Sequence, residues 1–129
     1  MILLDTHIWV WWVSQQPQLT PGQLQAIQRE QANGLGVSII SCWEVAKLVE
    51  LGRLEFSIPI SDWLDQALVY PGIQLLDLTI PIIVESTYLP GEFHRDPADQ
   101  LIVATARVYD IPLLTADKLI LYYSHVRFP

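Results

Sequence analysis

Basic residues are scarce in this chain. Of its 129 residues only seven are lysine or arginine, against fourteen aspartates and glutamates, for a formal charge of −7. A simple nucleic-acid binder carries a basic face, and this balance argues against one. It suits a basic protein partner or a site that holds divalent cations, and it serves plain solubility equally well. Cysteine is almost missing. The single Cys42 excludes an internal disulfide and fits a reducing compartment. Long apolar runs are missing too. The longest near the N-terminus, Ile8 to Val13, falls far short of the roughly 20 residues a spanning helix needs, so no membrane partner is expected. A secretory signal wants a basic n-region, and Asp5 stands in its place; a cytoplasmic protein is expected. Repeats, low-complexity stretches and linkers are absent, which leaves one domain over residues 1–129.

Apolar side chains, by contrast, are plentiful. The chain is 51% hydrophobic and 16% charged, enough for a full core with apolar surface to spare. Such a surplus points to a protein partner or a homodimer.

The run Met1-Ile2-Leu3-Leu4, cut off by Asp5-Thr6, reads as a strand buried on both faces, the kind found inside parallel sheets. His7 to Val13 continues it or forms a short helix. Thr20-Pro21 opens a helix that stops near Asn33-Gly34. Leu35 to Ile40 is a second strand, followed by a helix that Gly52 ends. Further helices are expected over Trp63 to Tyr70 and from Thr79-Ile80-Pro81 to Tyr88, and another from Pro97 to Asp110. Strands are expected at Ile73 to Leu78, Ile111 to Thr115 and, at the edge, His125 to Phe128. Strands alternating with helices predict an α/β three-layer sandwich with a mostly parallel sheet.

Carboxylates follow the strands. Asp5 ends the first. Glu44 comes three residues after Ser41, and Ser-x-x-Glu alone reads as a capping box. Asp96 is a good N-cap for the helix opened by Pro97, with Asp99 in its first turn. Asp117 lies just after Thr115, at the start of a short helix. Capping explains an acid at each helix start. It does not explain Asp5, Glu44, Asp99 and Asp117 gathering on one edge of a parallel sheet, with Lys47 and Lys118 as the only basic neighbours. Two carboxylates about 5 Å apart repel by roughly 3 kcal/mol at an effective dielectric near 20. Several such pairs rival the whole stability of a domain. A cluster like that protonates or binds cations, and oxygen-only donors select Mg²⁺ or Mn²⁺. Such ions bind phosphates and activate water for attack on a phosphodiester.

These residues resemble the PIN-domain nucleases, and within them the VapC-type ribonuclease toxins of toxin–antitoxin pairs. The resemblance rests on Leu3-Leu4-Asp5-Thr6-His7, on Ser41-Cys42-Trp43-Glu44-Val45-Ala46, on His94-Arg95-Asp96-Pro97-Ala98-Asp99 with the following Gln100 to Ala106, and on Leu114-Thr115-Ala116-Asp117. The ordered set covers nearly the whole chain. It implies a PIN-like sheet with strand order 3-2-1-4-5 and the opening strand at the centre. It implies that Asp5, Glu44 and Asp99 bind the metal, that Asp117 is a fourth acid of more variable role, and that Thr6 and Thr115 orient the site. Asp96 is assigned to capping first and to the metal second. A homodimer, an RNA substrate, a small antitoxin protein and products with a 3′-hydroxyl and a 5′-phosphate are implied as well. The geometric expectation is that Asp5, Glu44 and Asp99 lie within one ion's reach, or one bridging water, of each other.

Other residues receive plainer roles. His7, His94 and His125 are assigned structural or surface positions, and Cys42 to packing. Lys47 is expected to pair with Glu44 or Glu50. Arg95 is balanced between holding RNA and a solvated loop. The five tryptophans are assigned mostly to core or interface, and for Trp9, Trp11 and Trp12 a partner groove ranks ahead of base stacking. Two rival functions remain. A receiver-like phosphoacceptor would use Asp77 and Lys118 with Asp5, but it wants a second acid where Thr6 stands. A catalytically inactive PIN scaffold would bind only a partner.

Overall fold

The computed structural model describes residues 1–129. Its centre is β1 (Ile2–Leu4), which is completely enclosed. Alternation along this strand sends Ile2 and Leu4 into one apolar cluster and Leu3 into another. On the first side Ile2 and Leu4 meet Ile8 and Trp9 of α1 (Thr6–Val13), Ile27 of α2 (Pro21–Glu30), Val45 of α3 (Ile39–Glu50) and Trp63 of α4 (Ile60–Ala67). On the second, Leu3 meets Ile102, Val103 and Ala106 of α6 (Pro97–Tyr109) and Ile120 of α7 (Lys118–Leu121). The remaining helix, α5 (Ile80–Ser86), packs on α6.

The sheet has four strands, all parallel, in the order β3-β2-β1-β4, with β2 at Leu35–Ser38, β3 at Ile73–Leu76 and β4 at Leu113–Leu114. Leu3 pairs with Gly36 on one side and with Leu113 on the other. The expected α/β layering and the order 3-2-1-4 are therefore present, with β1 central.

The fifth strand, expected at His125 to Phe128, is not formed. With only two residues, β4 presents little edge: its Leu113 N–H donates to the Arg127 carbonyl at 2.8 Å. That bond holds the tail alongside the sheet, and Val126 and Phe128 pack on the second cluster. One bond is not a ladder. The second strand is also shorter than expected. Ser38, not Ser41, is the N-cap of α3, its hydroxyl accepting from Ile40 N–H at 3.2 Å. Ile39 and Ile40, β-branched and read as strand, form the first helical turn. The capping box at Ser41 and Glu44 is thus corrected: both residues lie inside the helix, three apart and on one face. The helix expected from Trp63 begins earlier, at Ile60 behind Pro59, with no side-chain cap.

Gly72 turns the chain into β3 with φ +94°, and a Cβ there would stand 2.6 Å from the Gln31 carbonyl oxygen. Gly72→Ala combines a left-handed conformation with a backbone clash. It is expected to lower stability by roughly 2 kcal/mol, measured as a lower midpoint in urea unfolding with unchanged m-value.

Candidate active site

Three parallel strands deliver their carboxyl ends to one edge, and the acids follow from there. Asp5 leaves β1 as the N-cap of α1, its Oδ1 accepting from Thr6 N–H at 2.8 Å. Its Oδ2 accepts from the Thr115 hydroxyl, 2.7 Å away just past β4. Thr115 in turn accepts from Asp117 N–H at 3.0 Å. Asp5 is buried and both its oxygens are engaged. Capping and the site are the same contact here.

Thr6 reaches the other way. Its Oγ1 lies 2.5 Å from Glu44 Oε1 and 2.8 Å from Ser41 Oγ. A threonine hydroxyl has one proton. It donates that proton to the carboxylate and takes one from Ser41, which is fully buried. Ser41 therefore serves the site through Thr6, a role hidden in sequence behind its resemblance to a cap.

Asp99 sits in the first turn of α6, where its N–H donates to the Asp96 cap at 3.1 Å. Its Oδ2 is 2.6 Å from His94 Nε2. His94 was assigned a structural or surface place from sequence. The structure instead puts it, half-buried, directly on an acid of the site. The signal available was its position just ahead of Asp96-Pro97. Asp117 is the N-cap of α7, its Oδ1 accepting from Leu119 and Ile120 N–H groups. Asp5, Asp117, His7 and Trp11 line a cavity of about 150 Å³.

Electrostatics shows that these groups share one place. Burial pushes the Asp5 carboxyl up; the bonds from Thr115 and Thr6 and the charge of His7 pull it back, and Asp117 adds to the rise. Burial pushes Glu44 up to about 7, against the Thr6 bond and helped by Asp5, Asp99 and Asp96. Burial likewise pushes Asp99 up to about 6, opposed by His94 and aided by Asp96, Asp5 and Asp117. Asp5 thus acts on both Glu44 and Asp99, and Asp99 on Glu44. They do not close into a ligand cage, however. No group of three or more His, Cys, Asp or Glu side chains is arranged to hold a metal ion; of the two expected arrangements, direct closure on one ion is not formed, which leaves reach through a bridging water. The donor set itself suits a hard divalent ion: oxygen-only, mutually repelling, half-desolvated, and with no lysine or arginine tied to it.

The remaining assignments sort cleanly. Lys47 pairs with Glu50 at 2.6 Å and not with Glu44. Arg95 is exposed. Trp9 is wholly core, edge-on to Trp63 at 5.2 Å, so it faces no partner groove. Trp12 meets Tyr70 and Trp11 meets His7. Cys42 is half-buried against the first cluster.

Comparison with known proteins adds a family. The PIN domain model matches residues 2–125. Ribonuclease VapC22 of Mycobacterium tuberculosis is 35% identical over 126 residues, which is 98% of this chain and 94% of that protein. VapBC2 from Rickettsia felis, solved bound to a DNA fragment from its promoter, superposes with a TM-score of 0.71 at 18% identity, over 100% of this chain and 98% of that one. FitAcB from Neisseria gonorrhoeae gives a TM-score of 0.69 at 20% identity, over 100% and 97%. A toxin–antitoxin complex from Klebsiella pneumoniae gives 0.67 at 21% identity, over 98% and 95%. These superpositions speak to the fold.

Raised carboxyls have a cost that depends on pH. Between the ordinary value of 4.5 and about 7, folded Glu44 holds a proton that the unfolded chain has lost. Ion-free stability therefore falls as pH rises through that window. For Glu44 the fall is on the order of 2 kcal/mol after allowance for its partial contact with water. The melting temperature without divalent ions is expected to drop by several degrees from pH 5 to pH 8, and Glu44→Gln to flatten that slope. A slope that Glu44→Gln leaves unchanged would assign it to other groups.

Proposed function

The chain belongs to the PIN-domain family as a VapC-type ribonuclease toxin, and from that premise we propose that Asp5, Glu44, Asp99 and Asp117 are its active site. The observation that carries this reading is the convergence of Asp5, Glu44 and Asp99 from three separate elements, each carboxyl raised by burial and by its acidic neighbours. Asp5, Glu44 and Asp99 would hold Mg²⁺ or Mn²⁺, with Asp117 in support. The ion would neutralise the scissile phosphate and make bound water more acidic.

The chain's own residues do the rest. Thr115 and the Thr6 N–H fix Asp5 from both sides, leaving one lone pair on each oxygen for a cation. Thr6 holds Glu44 by Oε1 and leaves Oε2 free. His94 engages Asp99 Oδ2 and leaves Oδ1 without a hydrogen bond, as the oxygen available to an ion.

An antitoxin and a second copy of the chain are proposed partners. Val13, Phe56, Ile58 and Trp63 line an apolar hollow of about 310 Å³, a fitting seat for an antitoxin segment. Ile80, Ile83 and Val84 of α5, with Tyr88 beyond, expose apolar surface suited to a homodimer. No helix is long and apolar enough to cross a membrane, and a cytoplasmic site of action is proposed. The receiver-like alternative loses its geometry. That arrangement places the third strand beside the first, whereas β2 separates them here and Asp77 is exposed beyond β3.

Purified protein is expected to cut single-stranded RNA with Mn²⁺ and to stop with EDTA. Asp5→Asn and Asp99→Asn are each expected to lower the rate by more than roughly a hundredfold, beyond the range typical of outer-shell changes. Asparagine caps a helix as well as aspartate. Asp117→Asn is therefore expected to keep the fold while cutting about tenfold more slowly. Equal cleavage by the Asp5 and Asp99 variants would sink the assignment.

A further inference from the structure

A larger cavity, about 460 Å³, opens beside the carboxylates and is used by none of the chemistry above. Its size falls within the roughly 300–1,000 Å³ of small-molecule sites. Aromatic rings dominate its lining. Phe93 lies against His94 with ring centres 4.2 Å apart and edge-on to Tyr123 at 4.8 Å; Tyr123 meets His125 at 5.5 Å. The Tyr123 hydroxyl donates to the Pro90 carbonyl at 2.5 Å, which fixes that buried ring. Tyr122 and Leu119, by contrast, are 87% and 59% exposed and stand at the mouth. No lysine or arginine lines the cavity, and Glu92 does. The lining suits a flat, uncharged, aromatic ligand and repels a phosphate.

Two residues join this cavity to the acids. His94 forms part of its wall while its Nε2 contacts Asp99. Leu119 forms another part, and its N–H donates to Asp117 at 2.8 Å. The wall of the cavity is thus continuous with residues that touch the acids proposed to face the scissile phosphate. Resting on the ribonuclease reading, we infer that the cavity is a nucleobase subsite. It takes one unpaired base next to the scissile phosphate, stacked at the Tyr122 ring above a floor of Phe93 and Tyr123. Base–aromatic stacking contributes about 1–3 kcal/mol per base, and it is tolerant of sequence because every base has a π-face.

The test uses a single-stranded RNA oligonucleotide of defined cut position and a set of copies, each lacking one base near the cut but keeping its sugar and phosphate. Loss of the base at one flanking position is expected to lower kcat/KM by roughly 5- to 150-fold. Tyr122→Ala is expected to cut the intact strand about as poorly as the wild type cuts that abasic one, with no further loss when the two changes are combined. Tyr122→Phe should retain the preference. Tyr122 forms no hydrogen bond through its side chain, so the alanine variant is expected to fold. Wild type that cuts every abasic strand like the intact one overturns the subsite, as does a Tyr122→Ala loss equal on all strands. Release of a co-purified protein partner by Tyr122→Ala with cleavage unchanged would also overturn it and give the cavity to that partner. If no strand is cut at all, the ribonuclease reading is what fails. The subsite is then judged by fluorescence anisotropy of the labelled strands on the Asp5→Asn protein: weaker binding of the abasic strand supports it, and equal binding overturns it.

Discussion

Thr6 carries the arrangement. Its backbone N–H holds Asp5 and its hydroxyl holds Glu44, so one small residue ties together two groups that repel each other. The tie works because both bonds favour the charged carboxylate and offset part of what burial and like charge impose. Ser41 completes it from below, supplying a proton to the hydroxyl that has given its own away. Without such neutral donors the cluster would protonate or spread. A lysine in Thr6's place would neutralise the acids and compete with any cation for them.

Everything upstream serves to bring that residue to the right edge. A strand buried on both faces has no freedom of register, because a slip of one residue would carry Leu3 into the wrong cluster. The end of β1 is therefore firmly fixed, and Asp5 and Thr6 stand immediately after it. Stability built in the two apolar clusters is partly given back at the edge, where three acids sit in surroundings that penalise their charge. That exchange is usual where chemistry is placed on a rigid scaffold.

Much of this was legible in the chain, for identifiable reasons. The apolar run closed by Asp5, the Thr20-Pro21, Thr79 and Asp96-Pro97 helix starts, and the alternation of strands with helices all follow local rules that the tertiary structure keeps. Ser41 and Glu44 were misplaced as a box because capping is a short-range pattern, and Ser38 satisfies it three residues earlier. The strand at His125 to Phe128 was misjudged because its sequence fits a strand while its neighbour is too short to pair with. His94 was undervalued because its importance lies in a contact with Asp99 that spacing alone does not specify. The four acids were singled out by their number and order. Their mutual orientation, short of a ligand cage, was beyond any sequence rule.

The C-terminal segment that fails to become a strand has a consequence of another kind. A sheet edge with free N–H groups is a template on which other chains can add, and natural proteins blunt such edges. Here the Arg127 carbonyl occupies the outward N–H of Leu113. Arg127 also anchors back through its guanidinium to the Asp110 carbonyl and carboxylate at 2.7 and 3.1 Å. A charged, irregular tail thus lies along the outer border of β4. It denies that border to stray strands while leaving the carboxylate edge open, so the molecule guards its sheet without shielding its chemistry.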